Sequence, residues 1–405
     1  MIRRSGIPGW AAAVLGLAAA LVPAGAARGQ TQGPMSLGFK KRFVIEIRNP
    51  GPEALENQPV VLGVEAVRAF APDFNSSNYA IFDESGGGYR LVVSQADDLN
   101  QDRVPDEIVL VRNLPPASTT RLACYYSPRG AFQLMTAAPK ANARLLGGPA
   151  GAVLAGWESN LAAFKFADGR VETYGKLYPG LILTKNLADD ARLQEWGMDT
   201  LAGRGSLGLG GLTVWEGATA VPLASAGAGG DRDIRRTVVA AGPLRGLVRV
   251  EFTAKKAGAA AGARTVLFSA YADNVFSRED VLPAPKAGGP TVYGVSVQKL
   301  AGEAVSLDKA RGYLAVWGRG AESAGEVGLA VLFNPPDFAG LDENGPARTV
   351  RLAAAPGKKL TLWTVGGWGR GIVTATEPAA MNWARFAAEL GLRLRAPVEV
   401  RFRVE

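Results

Sequence analysis

The chain has 405 residues, 47% hydrophobic and 20% charged, with 51 Gly and 25 Pro. That mixture holds ample core material and excludes a disordered or collagen-like chain. It has no histidine and one cysteine, Cys124. Those two counts exclude Ser-His-Asp and Cys-His catalysis, histidine acid/base chemistry, His-containing zinc sites, intramolecular disulfides and cysteine metal clusters. The formal charge is +8, but Lys and Arg are scattered rather than gathered in a stripe with aromatics, so no nucleic-acid partner is expected.

The N-terminus comes first. Arg3 and Arg4 precede an apolar run from Ala11 to Val22, followed by the small residues Ala24, Gly25, Ala26 and Ala27. This is a charged n-region, a short h-region and an A-x-A-like cleavage site, so residues 1–29 read as a Sec-type signal peptide. The mature chain is expected to be secreted or periplasmic. No later segment reaches the roughly 18 apolar residues of a membrane span, so no membrane partner is expected after cleavage.

The next element is a strand. Residues 41–48 alternate and are rich in β-branched side chains, and Asn49-Pro50-Gly51-Pro52 is a turn. Strand-like runs follow at 58–64, 89–94, 107–112 and 120–126. Their short spacing predicts a small β-sandwich over residues 36–135.

Residues 136–155 are Ala/Gly/Pro-rich and read as a crossing into a second unit, residues 145–405. Further strands are predicted there at 161–166, 181–183, 211–215, 235–240, 246–253, 264–272, 291–297, 313–317, 328–333, 349–352, 359–365 and 398–404. One helix is predicted at 378–392, where Trp383, Phe386, Ala387 and Leu390 form one apolar face. The fold class is therefore all-β: a small N-terminal sandwich, a large two-sheet sandwich and one C-terminal helix.

The run Asp98-Leu99-Asn100-Gln101-Asp102-Arg103-Val104-Pro105-Asp106-Glu107 places oxygen-bearing side chains at positions 1, 3, 5 and 9. That spacing turns alternate oxygens inward around one hard cation, so a structural Ca²⁺ is expected on Asp98, Asn100, Asp102, the Val104 carbonyl, Asp106 and Glu107. Arg103 replaces the loop glycine of an EF-hand, and strands replace its flanking helices. Gly203-Arg204-Gly205-Ser206-Leu207-Gly208 matches G-x-G-x-x-G, but a strand-like run follows it where a dinucleotide site needs a helix. Those glycines are expected to serve tight turns or close backbone approach.

Gly156-Trp157-Glu158-Ser159-Asn160 joins an aromatic plate, a carboxylate, a hydroxyl and an amide. Sugar sites need flat apolar faces for ring C–H groups and polar groups for hydroxyls. Tyr174-Gly175-Lys176 and Glu195-Trp196-Gly197-Met198-Asp199 follow. The ordered string of these motifs, with Gly205-Ser206-Leu207-Gly208-Leu209-Gly210-Gly211, resembles the domain of unknown function numbered 4861. The resemblance runs from the Asp98–Glu107 loop to the Trp383 helix and the Arg395-Ala396-Pro397-Val398 segment. It implies a galactose-mutarotase-like super-β-sandwich, a bacterial secreted protein of a polysaccharide-degrading system and a glycan ligand. Relatives carry a His before Trp-Gly-Met-Asp, whereas residues 187–194 here have none.

Without histidine, two enzyme routes stay open. A lyase would use Tyr174 or Lys176 as base or acid, with Asn160 or Arg204 neutralising a uronate carboxylate. A hydrolase would pair Glu158 with Asp199. Trp157 and Trp196 are the expected sugar platforms. The third possibility is a non-catalytic glycan-binding or structural sandwich.

Overall fold

A computed structural model describes residues 34–131, 137–148, 151–167, 169–185, 187, 190–201, 207–217, 219–223, 232–254, 263–283, 291–321 and 323–404. The predicted signal peptide lies outside the described residues. The strands Lys41–Asn49, Leu55–Gly63, Tyr79–Asp83, Arg90–Val92, Gln95–Asp97, Glu107–Leu114 and Ser118–Tyr126 build the small sandwich. Its two sheets have five strands, one of them Glu399–Arg403 from the C-terminal end, and three strands, and they enclose one apolar core that includes Phe43, Ile45, Leu62, Ile81 and Leu110. A seven-residue helix, Val64–Phe70, buries Val64 and Val67 against that core. The sequence pattern did not show this helix because two buried apolar positions are too few to display a 3.6-residue period.

The predicted large unit differs at its end. The closing strand Glu399–Arg403 leaves it and pairs antiparallel with Lys41–Asn49, with Ile47 opposite Val400. Both ends of the described chain therefore meet in the small sandwich. A further difference lies in the predicted crossing, which contains the strands Ala141–Gly147 and Val153–Ser159. Residues 181–183 are not a strand.

The large body has two layers. One is an eight-stranded antiparallel sheet, in order Arg232–Ala241, Arg245–Ala254, Arg264–Tyr271, Phe276–Val281, Leu360–Trp368, Glu326–Phe333, Tyr313–Arg319 and Ala301–Asp308. The other is a pair of five-stranded sheets. The first runs Gly197–Asp199, Arg170–Lys176, Ala163–Ala167, Val153–Ser159, Ala141–Gly147. The second runs Thr219–Pro222, Leu209–Glu216, Thr291–Gln298, Ala347–Ala354, Phe338–Asp342. Inward side chains of all three form one core, among them Phe164, Phe166, Val214, Phe268, Val295 and Leu329. A parallel bridge between Val171 and Gly208 joins the two five-stranded sheets. Gly208 has φ +73, and a Cβ there would lie 1.9 Å from the Val171 carbonyl oxygen. Close backbone approach therefore accounts for this glycine of the G-x-G-x-x-G match; residues 203–206, Arg204 among them, lie outside the described residues.

The predicted C-terminal helix spans Ala379–Arg395 and packs on the outer face of the eight-stranded sheet. Trp383, Ala387 and Leu390 are buried there, as their spacing predicted, and Phe386 is partly buried. The small sandwich docks on the same sheet through an apolar contact that joins Val109 to Tyr271 and Phe276, and through polar bonds centred on one arginine. Arg245, 5% exposed at its side chain, donates to Asp97 Oδ2 at 2.7 Å and to Glu107 Oε2 at 2.8 Å. The Gln95 amide oxygen accepts from the Leu244 and Arg245 N–H groups at 2.7 and 2.9 Å. Removing one partner of a buried ion pair strands the other in low dielectric, at a cost of about 3–5 kcal/mol. Arg245→Ala is expected to destabilise the chain by about that amount, read as a lower urea midpoint; an unchanged midpoint contradicts the docking role.

Candidate functional site

Side chains alternate across a strand, and this decides what each motif residue meets. On Val153–Ser159, Trp157 faces the core and Glu158 faces the outside of the sheet. Trp157 has no exposed surface. Its ring lies 4.6 Å from Phe268 and 5.9 Å from Phe164, and its N–H donates to Ser277 Oγ at 2.9 Å. A ring packed on both sides cannot stack on a sugar, so the expected platform at Trp157 is corrected to a core position. Trp196 is also buried, edge-on to Tyr174 at 5.6 Å. Asn160, expected to touch substrate, instead donates to Asp273 Oδ1 at 2.9 Å and accepts from the Asp273 N–H at 2.8 Å. Arg204 lies outside the described residues.

The outer face of the first five-stranded sheet carries Glu158, Ala163, Lys165, Glu172, Tyr174, Lys176 and Asp199. Register brings them together: Ala163 is opposite Glu158 and Tyr174, Lys165 is opposite Glu172, and Tyr174 is opposite Asp199. The described parts of segment 177–196 cover this face, with Ile182, Leu183 and Trp196 buried.

Glu158 and Lys176 form the first polar centre. Both side chains are fully buried, and Lys176 Nζ lies 2.8 Å from Glu158 Oε2. An ammonium has three N–H donors. Here Nζ meets three acceptors: Glu158 Oε2, the Ser159 carbonyl at 2.7 Å and the Gly180 carbonyl at 2.6 Å. Glu158 in turn accepts from the Ile182 and Leu183 N–H groups at 2.8 and 2.9 Å. Burial pulls the Lys176 pKa below its ordinary value, and Glu158 opposes that. The pair clamps the covering segment to the sheet. The catalytic roles expected for Glu158 and Lys176 are corrected on this geometry, because both side chains are fully buried and every Lys176 donor is committed to a protein acceptor.

The second centre is built around Lys165. Its Nζ lies 3.0 Å from Glu172, 2.8 Å from Asp190 and 3.2 Å from Asp199. The Tyr174 hydroxyl donates to Asp190 Oδ2 at 2.8 Å. Burial pushes the Lys165 pKa down, but Tyr174 and the three carboxylates outweigh it and hold the ammonium above its ordinary value. Burial and then Glu172 push the Asp199 carboxyl up to about 7, with Lys165 pulling the other way. Burial drives the Tyr174 phenol well above its ordinary value, with Lys165 opposing. Three acids around one base favour keeping one acid protonated near neutrality, and Asp199 is the one so placed. Asp190 is the most exposed of the group, 19% at its side chain.

The structure thus brings Tyr174 and Asp199 of the expected set together. Sequence reasoning missed Lys165, Glu172 and Asp190. A signal for two of them was present: Asp168-Gly169 between two strand-like runs specifies a two-residue hairpin, and that register sets Lys165 opposite Glu172.

The Asp98–Glu107 loop is closed by its own amides. Asp98 accepts from the Gln101, Asp102 and Arg103 N–H groups at 2.6, 3.2 and 2.6 Å. Asn100 Oδ1 accepts from the Asp102 N–H, and Asp102 Oδ1 accepts from the Val104 N–H, both at 2.8 Å. Asp106 Oδ2 accepts from the Leu99 and Asn100 N–H groups at 2.6 and 3.3 Å. Glu107, of the expected ligand set, is paired through Oε2 with Arg245 at 2.8 Å. Among the described residues, no group of three or more Asp, Glu, His or Cys side chains is arranged to hold a metal ion.

Glu158→Gln removes the charge that balances Lys176. It is expected to destabilise the chain by about 3–5 kcal/mol, measured by urea unfolding; unchanged stability overturns the clamp.

Comparison with known proteins gives distant structural likenesses. An alpha-mannosidase from Enterococcus faecalis V583 matches with a TM-score of 0.44 and 10% identity, over 90% of this chain and 46% of that one. A protein in glycosyl hydrolase family 38 from Enterococcus faecalis matches with a TM-score of 0.46 and 9% identity, over 90% and 48%. This chain spans about half the length of each, and likenesses at that level carry no argument about activity. No curated protein matches it. A family model does match, over residues 47–400, from the first strand of the small sandwich to the strand that returns to it. The chain belongs to the family described as domain of unknown function DUF4861.

Proposed function

We propose that this chain is an exported carbohydrate-active protein whose reacting centre is the Lys165 cluster, with Asp199 as general acid and Asp190 as its partner carboxylate. The observation that carries the reading is the pair of unequal acids on one ammonium: Asp199 pushed up to about 7 and Asp190 held by Lys165 and the Tyr174 hydroxyl. Glycoside hydrolysis needs two such carboxyls, one protonated and one charged. Both bond the same nitrogen, at 2.8 and 3.2 Å. That keeps them nearer the roughly 5–5.5 Å separation of retaining enzymes than the roughly 6.5–9.5 Å of inverting ones. Asp190, the more exposed, is the group a sugar meets first.

Hydrolysis is favoured over elimination by the state of the other candidates. Lys176 has its donors committed, and Tyr174 donates to Asp190 with its pKa raised, which is opposite to what a proton-abstracting base needs. The second reading, a non-catalytic glycan-binding or structural sandwich, is favoured by the burial of Trp157 and Trp196, which leaves neither indole exposed as a sugar platform.

The test is release of reducing ends from a panel of neutral and acidic polysaccharides. Asp199→Asn is expected to lower the rate about 10²–10⁴-fold with the chain still folded. Activity falls as pH rises through about 7, because the general acid loses its proton there. Stability has the same sign: an acid with a raised folded pKa weakens the fold as pH rises from its unfolded value toward about 7. Asp199→Asn flattens that fall. Full activity in Asp199→Asn sinks the assignment, and a folded chain that releases nothing from any substrate supports the second reading.

Calcium at the Asp98–Glu107 loop is a separate proposal that rests on residue spacing alone. Chelator is expected to lower the melting temperature, and Asp102→Ala to abolish the effect. A melt indifferent to chelator removes the ion.

A further inference from the structure

Away from the Lys165 cluster, a cavity of about 700 Å³ opens between the small sandwich and the C-terminal helix. Its size is that of small-ligand sites, roughly 300–1,000 Å³. Leu55 and Phe386 give it apolar wall, and Glu53, Glu389 and Arg393 give it charge. Phe386 is held in place by Trp383, with ring centroids 5.3 Å apart.

The last turn of the helix carries two arginines with different fates. Arg395 donates to the carbonyls of Arg311, Phe333 and Gly312 at 2.6, 3.1 and 3.4 Å. Arg393 has no side-chain hydrogen bond or ion pair among the described residues, yet it lines the cavity and is half-buried. Burial lowers its pKa, with Glu56 opposing. A partly desolvated guanidinium with no hydrogen-bonded partner is a fork shaped for a carboxylate. The two glutamates set a limit on that anion: they oppose a doubly charged phosphate more strongly than a singly charged carboxylate, and they accept hydrogen bonds from hydroxyl groups. A ligand that brings one carboxylate, several hydroxyls and a flat C–H face satisfies every wall.

We propose that this cavity binds an acidic saccharide unit, a uronate, with its carboxylate on Arg393, its hydroxyls on Glu53 and Glu389 and its ring face on Phe386. The site is independent of the Lys165 cluster and holds whether or not that cluster is catalytic.

The test is calorimetric titration of the full chain with a galacturonate trisaccharide, a neutral maltotriose and a short peptide with a free C-terminal carboxylate. The acidic trisaccharide is expected to bind, and Arg393→Gln to weaken it about tenfold or more. Glu53→Gln, at an exposed position, gives a second variant that leaves the helix untouched and is expected to weaken binding less. Reducing-end release is expected to be unchanged in both variants, which separates failure here from failure of the catalytic proposal. The inference is overturned if the acidic trisaccharide does not bind, if Arg393→Gln binds it as well as the parent does, or if the maltotriose or the peptide binds equally well.

Discussion

A charge taken out of water must find its partner inside the protein, and one sheet face in this chain is organised around that requirement. Segment 177–196 covers a face that carries two lysines and three acids of the sheet itself. Isolated, each would cost several kcal/mol to bury. The two centres meet this cost differently. At Lys176 the accounting closes: three donors meet three acceptors, and the carboxylate opposite takes two backbone N–H groups. A closed network holds the covering segment in one place and has nothing left to do. At Lys165 the accounting stays open. Three carboxylates surround one ammonium, so the fully ionised cluster carries surplus negative charge. The surplus is relieved by keeping a proton, and a kept proton near neutrality is a reagent.

The same physics joins the two bodies. Arg245 stands on the large sheet and meets Asp97 and Glu107 of the small sandwich. The last strand then returns to the first sheet beside Lys41–Asn49. The small sandwich is thus held by a charge lock at one place and by a backbone ladder at another. The helix Ala379–Arg395, which leads into that strand, is fixed along the way by Trp383, whose N–H donates to the Leu329 carbonyl at 3.2 Å.

Strands were legible in the sequence wherever β-branched runs were bounded by turn residues, and the helix near the C-terminus was legible from its four apolar positions. Two parts of the site were not. Trp157 and Glu158 were read together because they are neighbours in the chain, but on a strand neighbours face opposite ways. The strand Val153–Ser159 begins in a stretch whose Ala, Gly and Pro content masks β-pattern, so the sequence does not show its parity. The misassignment followed: an indole with no exposed surface was read as a sugar platform. Asp190 fails for a different reason. It belongs to the covering segment, whose path over the sheet depends in part on side chains distant in sequence, such as Lys165, 25 residues away. No local signal encodes such a contact. Lys165 and Glu172 lie between these cases, since Asp168-Gly169 in the sequence is a hairpin signal that gives their register once it is recognised.

The burial that removed the expected aromatic platform also makes the remaining chemistry possible. In water, Asp199 and Asp190 would both ionise well below neutrality and differ little. Under the covering segment they are unlike. Asp199, 5% exposed at its side chain, is raised by burial and by Glu172, whereas Asp190 is more exposed and takes hydrogen bonds from Lys165 and Tyr174. Hydrogen bonds donated to a carboxylate favour its charged form, and desolvation favours the neutral one. An open, solvated cleft with the same side chains would lose the burial that raises Asp199. Under the proposed function, the covered face is therefore the condition for acid/base work in a chain that has no histidine to do it.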